Sequence, residues 1–236
     1  MLAIMRMPQF GFGNKLLYYF NLRKAARESN QKYHCDVFDG MDLFGDKLTG
    51  DPPVENFSDF ALCLGEKFFS GDFLDSREIF RLNGEREAEE RVGAVHFRGT
   101  DFFTWNPESI LETTYYISAI EEVFEEVDSF QLFTDDAELE SFRAVKTYLD
   151  ERKKVYSLGQ NTSNRSEFKK DFVNLANCDL IISSPSTFCI SAGFVGKRKK
   201  IIHSEKWILS RIQKSDLFWV GLNEGGNENY KLWKTF

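Results

Sequence analysis

Between residues 92 and 203, short apolar runs alternate with segments whose apolar residues recur at helical spacing. This alternation constrains the fold more than any other feature of the chain. Residues 92–97, 130–133, 154–157, 179–183 and 200–203 read as strands, the last of them closing the series. Between them, Leu139, Phe142, Val145 and Leu149 mark one helix face, and Phe168, Phe172 and Leu175 another. Thr134 or Asp135 is expected to cap the first of these helices. Asn106-Pro107 reads as a cap followed by a first-turn proline, opening a long helix with Ile110, Thr114, Ile117, Ile120, Phe124 and Val127 inward. A short helix over 186–194 ends at Gly196. Strands separated by helices cannot pair as hairpins, so the expectation is an α/β fold with a parallel, doubly wound sheet.

The first ninety residues are less regular. Residues 1–7 read as a strand and residues 8–14 as a glycine-bearing loop, followed by a helix carrying Leu16, Tyr19, Phe20 and Arg23. Val37-Phe38 reads as a further strand, and residues 75–90 as a helix. The division expected is an N-terminal lobe over 1–90, a ligand-binding lobe over 91–215 and a tail over 216–236.

Composition excludes several classes. A formal net charge of −7 argues against nonspecific nucleic-acid binding. The basic run Lys197-Arg198-Lys199-Lys200 reads as a solvated turn before a strand. Cys35, Cys63, Cys178 and Cys189 form no CxxC pair, and with 3 histidines a structural zinc site is not expected. Cys178 and Cys189 lie in apolar surroundings and should be buried thiols. No apolar run has the length of a membrane span or signal peptide, so the expected location is cytoplasmic. The sequons at Asn56, Asn161 and Asn164 are then chance matches.

Two segments carry the candidate chemistry. His96-Phe97-Arg98-Gly99-Thr100-Asp101 and Ser183-Ser184-Pro185-Ser186-Thr187-Phe188 each follow a buried strand, at the edge where open α/β sheets bind ligands. Arg98 is a permanent cation able to grip two phosphate oxygens, or else a surface partner of Asp101. Asp101 orients Arg98 or serves as a base; orientation is preferred, because a carboxylate beside an arginine is a weak base. His96 faces the opposite side of its strand from Phe97, where a lone histidine is more often a hydrogen-bonded core or rim residue than a catalyst. Ser186, Thr187 and the N–H of Phe188 open a helix, where they either bind phosphate or simply cap. Gly11 and Gly13 form an incomplete dinucleotide fingerprint. Asp135-Asp136 reads as a cap and dipole partner or as an acidic metal pair.

Taken in order, these pieces resemble a known group. A Gly-x-Gly-Asn loop, His96-x-Arg98-x-x-Asp101, Phe133-Thr134-Asp135-Asp136, and the run from Asp171 to Ser183 leading into Ser186-Thr187-Phe188 are similar to the GDP-fucose-dependent fucosyltransferases. That superfamily contains the α1,2-, α1,6- and protein O-fucosyltransferases, and the bacterial α1,2 type looks most alike. The resemblance is dense from 92 to 207. It implies a GT-B-like fold of two Rossmann-like lobes with parallel sheets, the N-terminal lobe being reduced. It implies inverting, metal-independent fucose transfer from GDP-fucose to a glycan hydroxyl, with no cofactor. It places Arg98, Ser186, Thr187 and Phe188 on the diphosphate, Asp171 on the guanine and His96 near the nucleoside. Gly13 and Asn14 then approach the donor from the other lobe, and Asp135 and Asp136 become cleft residues. Asp101 and Asp135 remain the candidates for the base. The family often has a second arginine where this chain has Gly99, and a glutamine where it has Lys15, which offers compensating charge. A different nucleotide sugar, such as a UDP-sugar, and a noncatalytic nucleotide- or glycan-binding module are the alternatives.

Overall fold

A computed structural model describes residues 1–5, 7, 11–44, 50, 58–59, 82, 89–105, 107–160, 167–195, 200–204 and 230–233. Two parallel sheets organise them. The smaller has three strands in the order β2-β1-β3: β1 (Leu2–Ile4), β2 (Tyr33–Cys35) and β3 (Ser58–Asp59). Helix α1 (Phe12–Glu28) connects β1 to β2. The larger sheet has six strands, all paired in parallel. They are β4 (Val92–Phe97), β5 (Ser129–Thr134), β6 (Tyr156–Leu158), β7 (Leu180–Ser183), β8 (Lys200–Ser204) and β9 (Tyr230–Trp233). Helices α2 (Thr113–Val123), α3 (Glu140–Glu151), α4 (Phe168–Asn177) and α5 (Thr187–Val195) lie between them in the chain.

The spatial order β6-β5-β4-β7-β8-β9 has one consequence for function. The chain winds outward from β4 to β6, then returns to the other side of β4 and winds outward again to β9. The reversal falls between β4 and β7, and in doubly wound sheets the carboxyl ends of the strands at such a reversal are where ligands bind. This is the doubly wound α/β architecture, compatible with a Rossmann-like fold.

The chemistry of the strands explains the layers. All six residues of β4 and all four of β7 are buried, as a parallel sheet covered on both faces requires. One apolar cluster covers one face, with Val95, Phe97, Tyr116, Ile120, Phe142 and Leu149 among its members. The other, including Ile4, Phe12, Leu16, Phe133, Phe172 and Cys189, runs continuously from the small sheet through α1 to α4 and α5. Phe12 and Phe172 meet edge to face at 4.8 Å in its centre. Lys169 adds a polar tie between α4 and the first part of the chain, reaching Asp39 and Asp42 at 2.8 Å each.

Several local expectations change. β1 is three residues long, and α1 begins at Phe12, so Gly13 and Asn14 stand in a helical first turn rather than a loop. The strand near residue 35 is Tyr33–Cys35; Val37 is exposed. Pro107–Ser109 forms a 3₁₀ turn, and α2 starts later, after an extended Glu112. The face α2 buries is Tyr115, Tyr116, Ala119, Ile120 and Val123, with Thr114 exposed. Tyr115 can be inward because its hydroxyl donates to the Ser183 carbonyl at 2.9 Å, with the Ile202 carbonyl at 3.3 Å sharing the same proton. Residue 106 and most of 75–88 lie outside the described residues. A further strand, β9, follows β8 and pairs with it. Cys178 and Cys189 are buried free thiols, as expected. Among the described residues no helix is long and apolar enough to cross a membrane.

Candidate functional site

The carboxyl ends of β4, β5 and β7 bring most of the candidate residues together. On β4 the alternation of side chains sends Phe97 into one core cluster and His96 to the opposite face. His96 Nδ1 lies 2.7 Å from Ser184 Oγ, just past the end of β7. The His96 ring also approaches the ring of Phe188, with centroids 6.0 Å apart. Burial pushes the His96 pKa down to about 4; Asp135 opposes this shift and Arg98 adds to it. The imidazole is therefore neutral at neutral pH.

Arg98 follows two residues later and is held by two carboxylates. Its Nη1 donates to Asp135 Oδ2 at 2.6 Å and its Nη2 to Asp101 Oδ1 at 2.7 Å. The guanidinium also lies over the Phe102 ring, 5.3 Å from its centroid. Asp135 sits just past the end of β5, the strand next to β4, so the two chain ends are neighbours by register: Phe97 pairs with Thr134. Asp135 also accepts the Gly99 N–H at 2.8 Å and the Thr100 hydroxyl at 2.7 Å.

Helix capping at this point differs from the expectation. Neither Thr134 nor Asp135 caps α3, whose N-cap residue is Leu139. Instead the Thr134 hydroxyl donates to the Asp136 carbonyl at 2.9 Å and accepts the Asp136 N–H at 3.0 Å. The Asp136 carboxylate accepts the Glu138 N–H at 3.0 Å. These bonds form a turn that delivers Asp135 to the β4 loop. A Cβ at Gly99 would stand 2.9 Å from Asp136 Cβ, so any side chain here would force Asp136 to shift.

Past the end of β7, Ser186 is buried and immediately precedes α5, and its carbonyl accepts the Ile190 N–H at 3.0 Å. Thr187 and Phe188 form the first turn. The first turn of α1 lies directly on it: a Cβ at Gly13 would fall 2.3 Å from Phe188 N and 2.4 Å from Thr187 C. Ser191 Oγ donates to the Gly13 carbonyl at 3.2 Å and fixes this contact. Two helix N-termini thus meet beside the switch point, neither with an acidic residue in its first turn. Asn14 and Lys15 belong to the same turn of α1 and are partly buried.

Asp171, in the first turn of α4, is buried rather than solvated. Its Oδ1 accepts the Gln160 N–H at 2.6 Å, closing the loop that leaves β6. Phe172, the next residue, packs against Phe188 with centroids 5.3 Å apart, which links α4 to the start of α5. Sequence reasoning did not single out Ser184 or Thr100 as partners. The signal for both was weak: each is a small hydroxyl residue within three positions of a strand end.

The start of α5 offers helix N–H groups and Arg98 offers a guanidinium, each a chemistry able to hold an anion, and His96 keeps a neutral imidazole between β4 and β7. Among the described residues no group of three or more His, Cys, Asp or Glu side chains is arranged to hold a metal ion. Comparisons of the chain with protein-family models, with curated proteins and with solved structures find no match.

Proposed function

We propose that this chain is a GT-B-like glycosyltransferase that moves fucose from GDP-fucose to a glycan hydroxyl with inversion and without a metal ion. The observation that carries the reading is the meeting of α1 and α5 at Gly13 and Phe188, beside the β4–β7 switch point. A diphosphate beside this contact would face the N–H groups that the two helix starts leave uncovered, and the dipoles of both would favour its charge. Arg98, at the end of β4, supplies the fixed cation.

In this reaction the acceptor oxygen bonds to the anomeric carbon as the bond from that carbon to the β-phosphate oxygen breaks. The electron pair leaves with GDP. Charge therefore grows on the phosphate in the transition state, where a preorganised guanidinium and helix N–H groups are most effective. The acceptor proton passes to a carboxylate at the rim, for which the exposed Asp101 is the better candidate. Asp135 is already engaged by three donors, so its oxygens are less free to take up a proton from the acceptor. Asp171 reads the guanine N1–H and exocyclic amine, while His96 packs near the nucleoside.

A noncatalytic nucleotide- or glycan-binding module is the second reading. It is favoured by the engagement of Arg98 with both Asp101 and Asp135, which offsets its charge. Thermal-shift titration with GDP, UDP and ADP, followed by GDP-fucose turnover with a panel of glycan acceptors, separates the possibilities. The proposal expects GDP to rank first and turnover to vanish in Arg98→Ala with the circular-dichroism spectrum unchanged. A preference for UDP moves the donor to a UDP-sugar. GDP binding without turnover on any acceptor favours the module, and no nucleotide binding removes the proposal.

A further inference from the structure

We propose that the two carboxylates on Arg98 have opposite roles: Asp135 orients the guanidinium permanently, whereas Asp101 occupies the place of an anion and is displaced by a diphosphate. This rests on the reading of Arg98 as a diphosphate ligand. The two contacts to Arg98 are nearly equal in length, so the difference lies in their surroundings.

The Asp135 side chain is 8% exposed, and its oxygens take the Arg98 guanidinium, the Gly99 N–H and the Thr100 hydroxyl together. The loop it holds is strained: Thr100 is β-branched yet has φ of 26°. Such a backbone persists only when its surroundings determine it, and Asp135 supplies two of the bonds that do so. Losing Asp135 would release Arg98 and the turn carrying it. Asp135 is therefore a positioning residue.

Asp101 is the reverse case. Its side chain is 60% exposed and comes from the same loop, three residues from Arg98. Its other contact is with the Thr100 hydroxyl at 3.4 Å. An exposed ion pair of this kind contributes little and is screened by water and salt. A phosphate group offers the same guanidinium edge more charge and a matching pair of oxygens. Nη2 can thus exchange one anionic partner for another while Nη1 stays on Asp135.

Isothermal titration of the full chain with inorganic pyrophosphate, and separately with GDP, tests the exchange. Asp101→Asn is expected to tighten pyrophosphate binding by about threefold to fivefold, because a competing carboxylate is gone. Asp135→Asn is expected to weaken it by about tenfold or more. Should that variant not fold, Thr100→Val, which removes one donor to the same carboxylate, carries this arm with weakening again expected. In an Arg98→Gln background the gain from Asp101→Asn disappears. A gain that persists there belongs to the general field and overturns the exchange. So does an Asp101→Asn chain that binds pyrophosphate as the native one does or more weakly, or the absence of pyrophosphate binding in both. The expected ordering without any preference for GDP over pyrophosphate retains the exchange and removes the guanine-nucleotide reading.

Discussion

His96 Nδ1 and Ser184 Oγ stand 2.7 Å apart and join the two strands on either side of the switch point. The ring is fully enclosed, and desolvation holds its pKa down to about 4. His203, on the next strand but one from β4, is pushed to about 4 by burial as well. In the unfolded chain both rings titrate near the ordinary value of about 6.5. Folded pKa values below the unfolded ones mean that the unfolded state binds more protons between these limits. Stability from the neutral rings is therefore complete above about pH 6.5 and is lost as the pH falls towards 4. Each ring contributes on the order of 3 kcal/mol over that window. Urea unfolding at successive pH values should show this decline, with a shallower slope in His96→Asn. Equal slopes for the two chains would contradict it.

Ser184→Ala removes the hydroxyl from a buried imidazole nitrogen and places no water there. The expected loss is about 1–3 kcal/mol, the cost of leaving a buried polar group without its bond. A double-mutant cycle with His96→Leu should return most of that loss as coupling, because with both partners apolar no unsatisfied atom remains. Additive losses would mean that the 2.7 Å contact contributes nothing of its own.

Legibility in the sequence tracked how local the determinant was. The strands from β4 to β8 were legible because buried parallel strands are short apolar runs, and α3 because Leu139, Phe142, Val145 and Leu149 recur at helical spacing, whereas β9 was not. The inward face of α2 was not legible. The expected face ran through Thr114 and Ile117, whereas Tyr115 turns inward with its hydroxyl on carbonyls of β7 and β8, far away in the chain. The pairing of Arg98 with Asp101 was visible at three residues' separation, whereas the stronger engagement with Asp135 depends on β4 and β5 being neighbours. Gly13 reads in the sequence as part of an incomplete ligand-binding fingerprint, whereas its partner in the structure, the first turn of α5, lies some 175 positions on.

Gly13 and Gly11 should respond differently to the same substitution. An added Cβ at Gly13 would meet backbone atoms of Thr187 and Phe188 at under 2.5 Å, and backbone cannot step aside. At Gly11 nothing among the described residues stands within 4 Å, and its φ of −58° suits any residue. Gly13→Ala should then cost about 1–3 kcal/mol or more by forcing α1 off α5. Gly11→Ala should leave the thermal midpoint within a few degrees of the native chain. A Gly13→Ala chain as stable as the Gly11→Ala one would show that the two helix starts do not meet.

Asp171 separates a loop-closing role from a ligand-reading one. Its carboxylate accepts the Gln160 N–H, and Asn offers an amide oxygen for the same bond. Asp171→Asn should therefore preserve most of the fold, with a modest fall in midpoint. Under the proposed function it would lose the recognition of guanine, since the amide presents one acceptor and no charge to a base edge that donates twice. Losing a charge-assisted bond of this kind weakens binding by about tenfold to a hundredfold. GDP titration should register that loss, while inorganic pyrophosphate, which has no base, should bind the variant and the native chain alike. If both ligands weaken together, the carboxylate acts by shaping the site rather than by reading the base. If neither weakens, Asp171 belongs to the β6 loop alone.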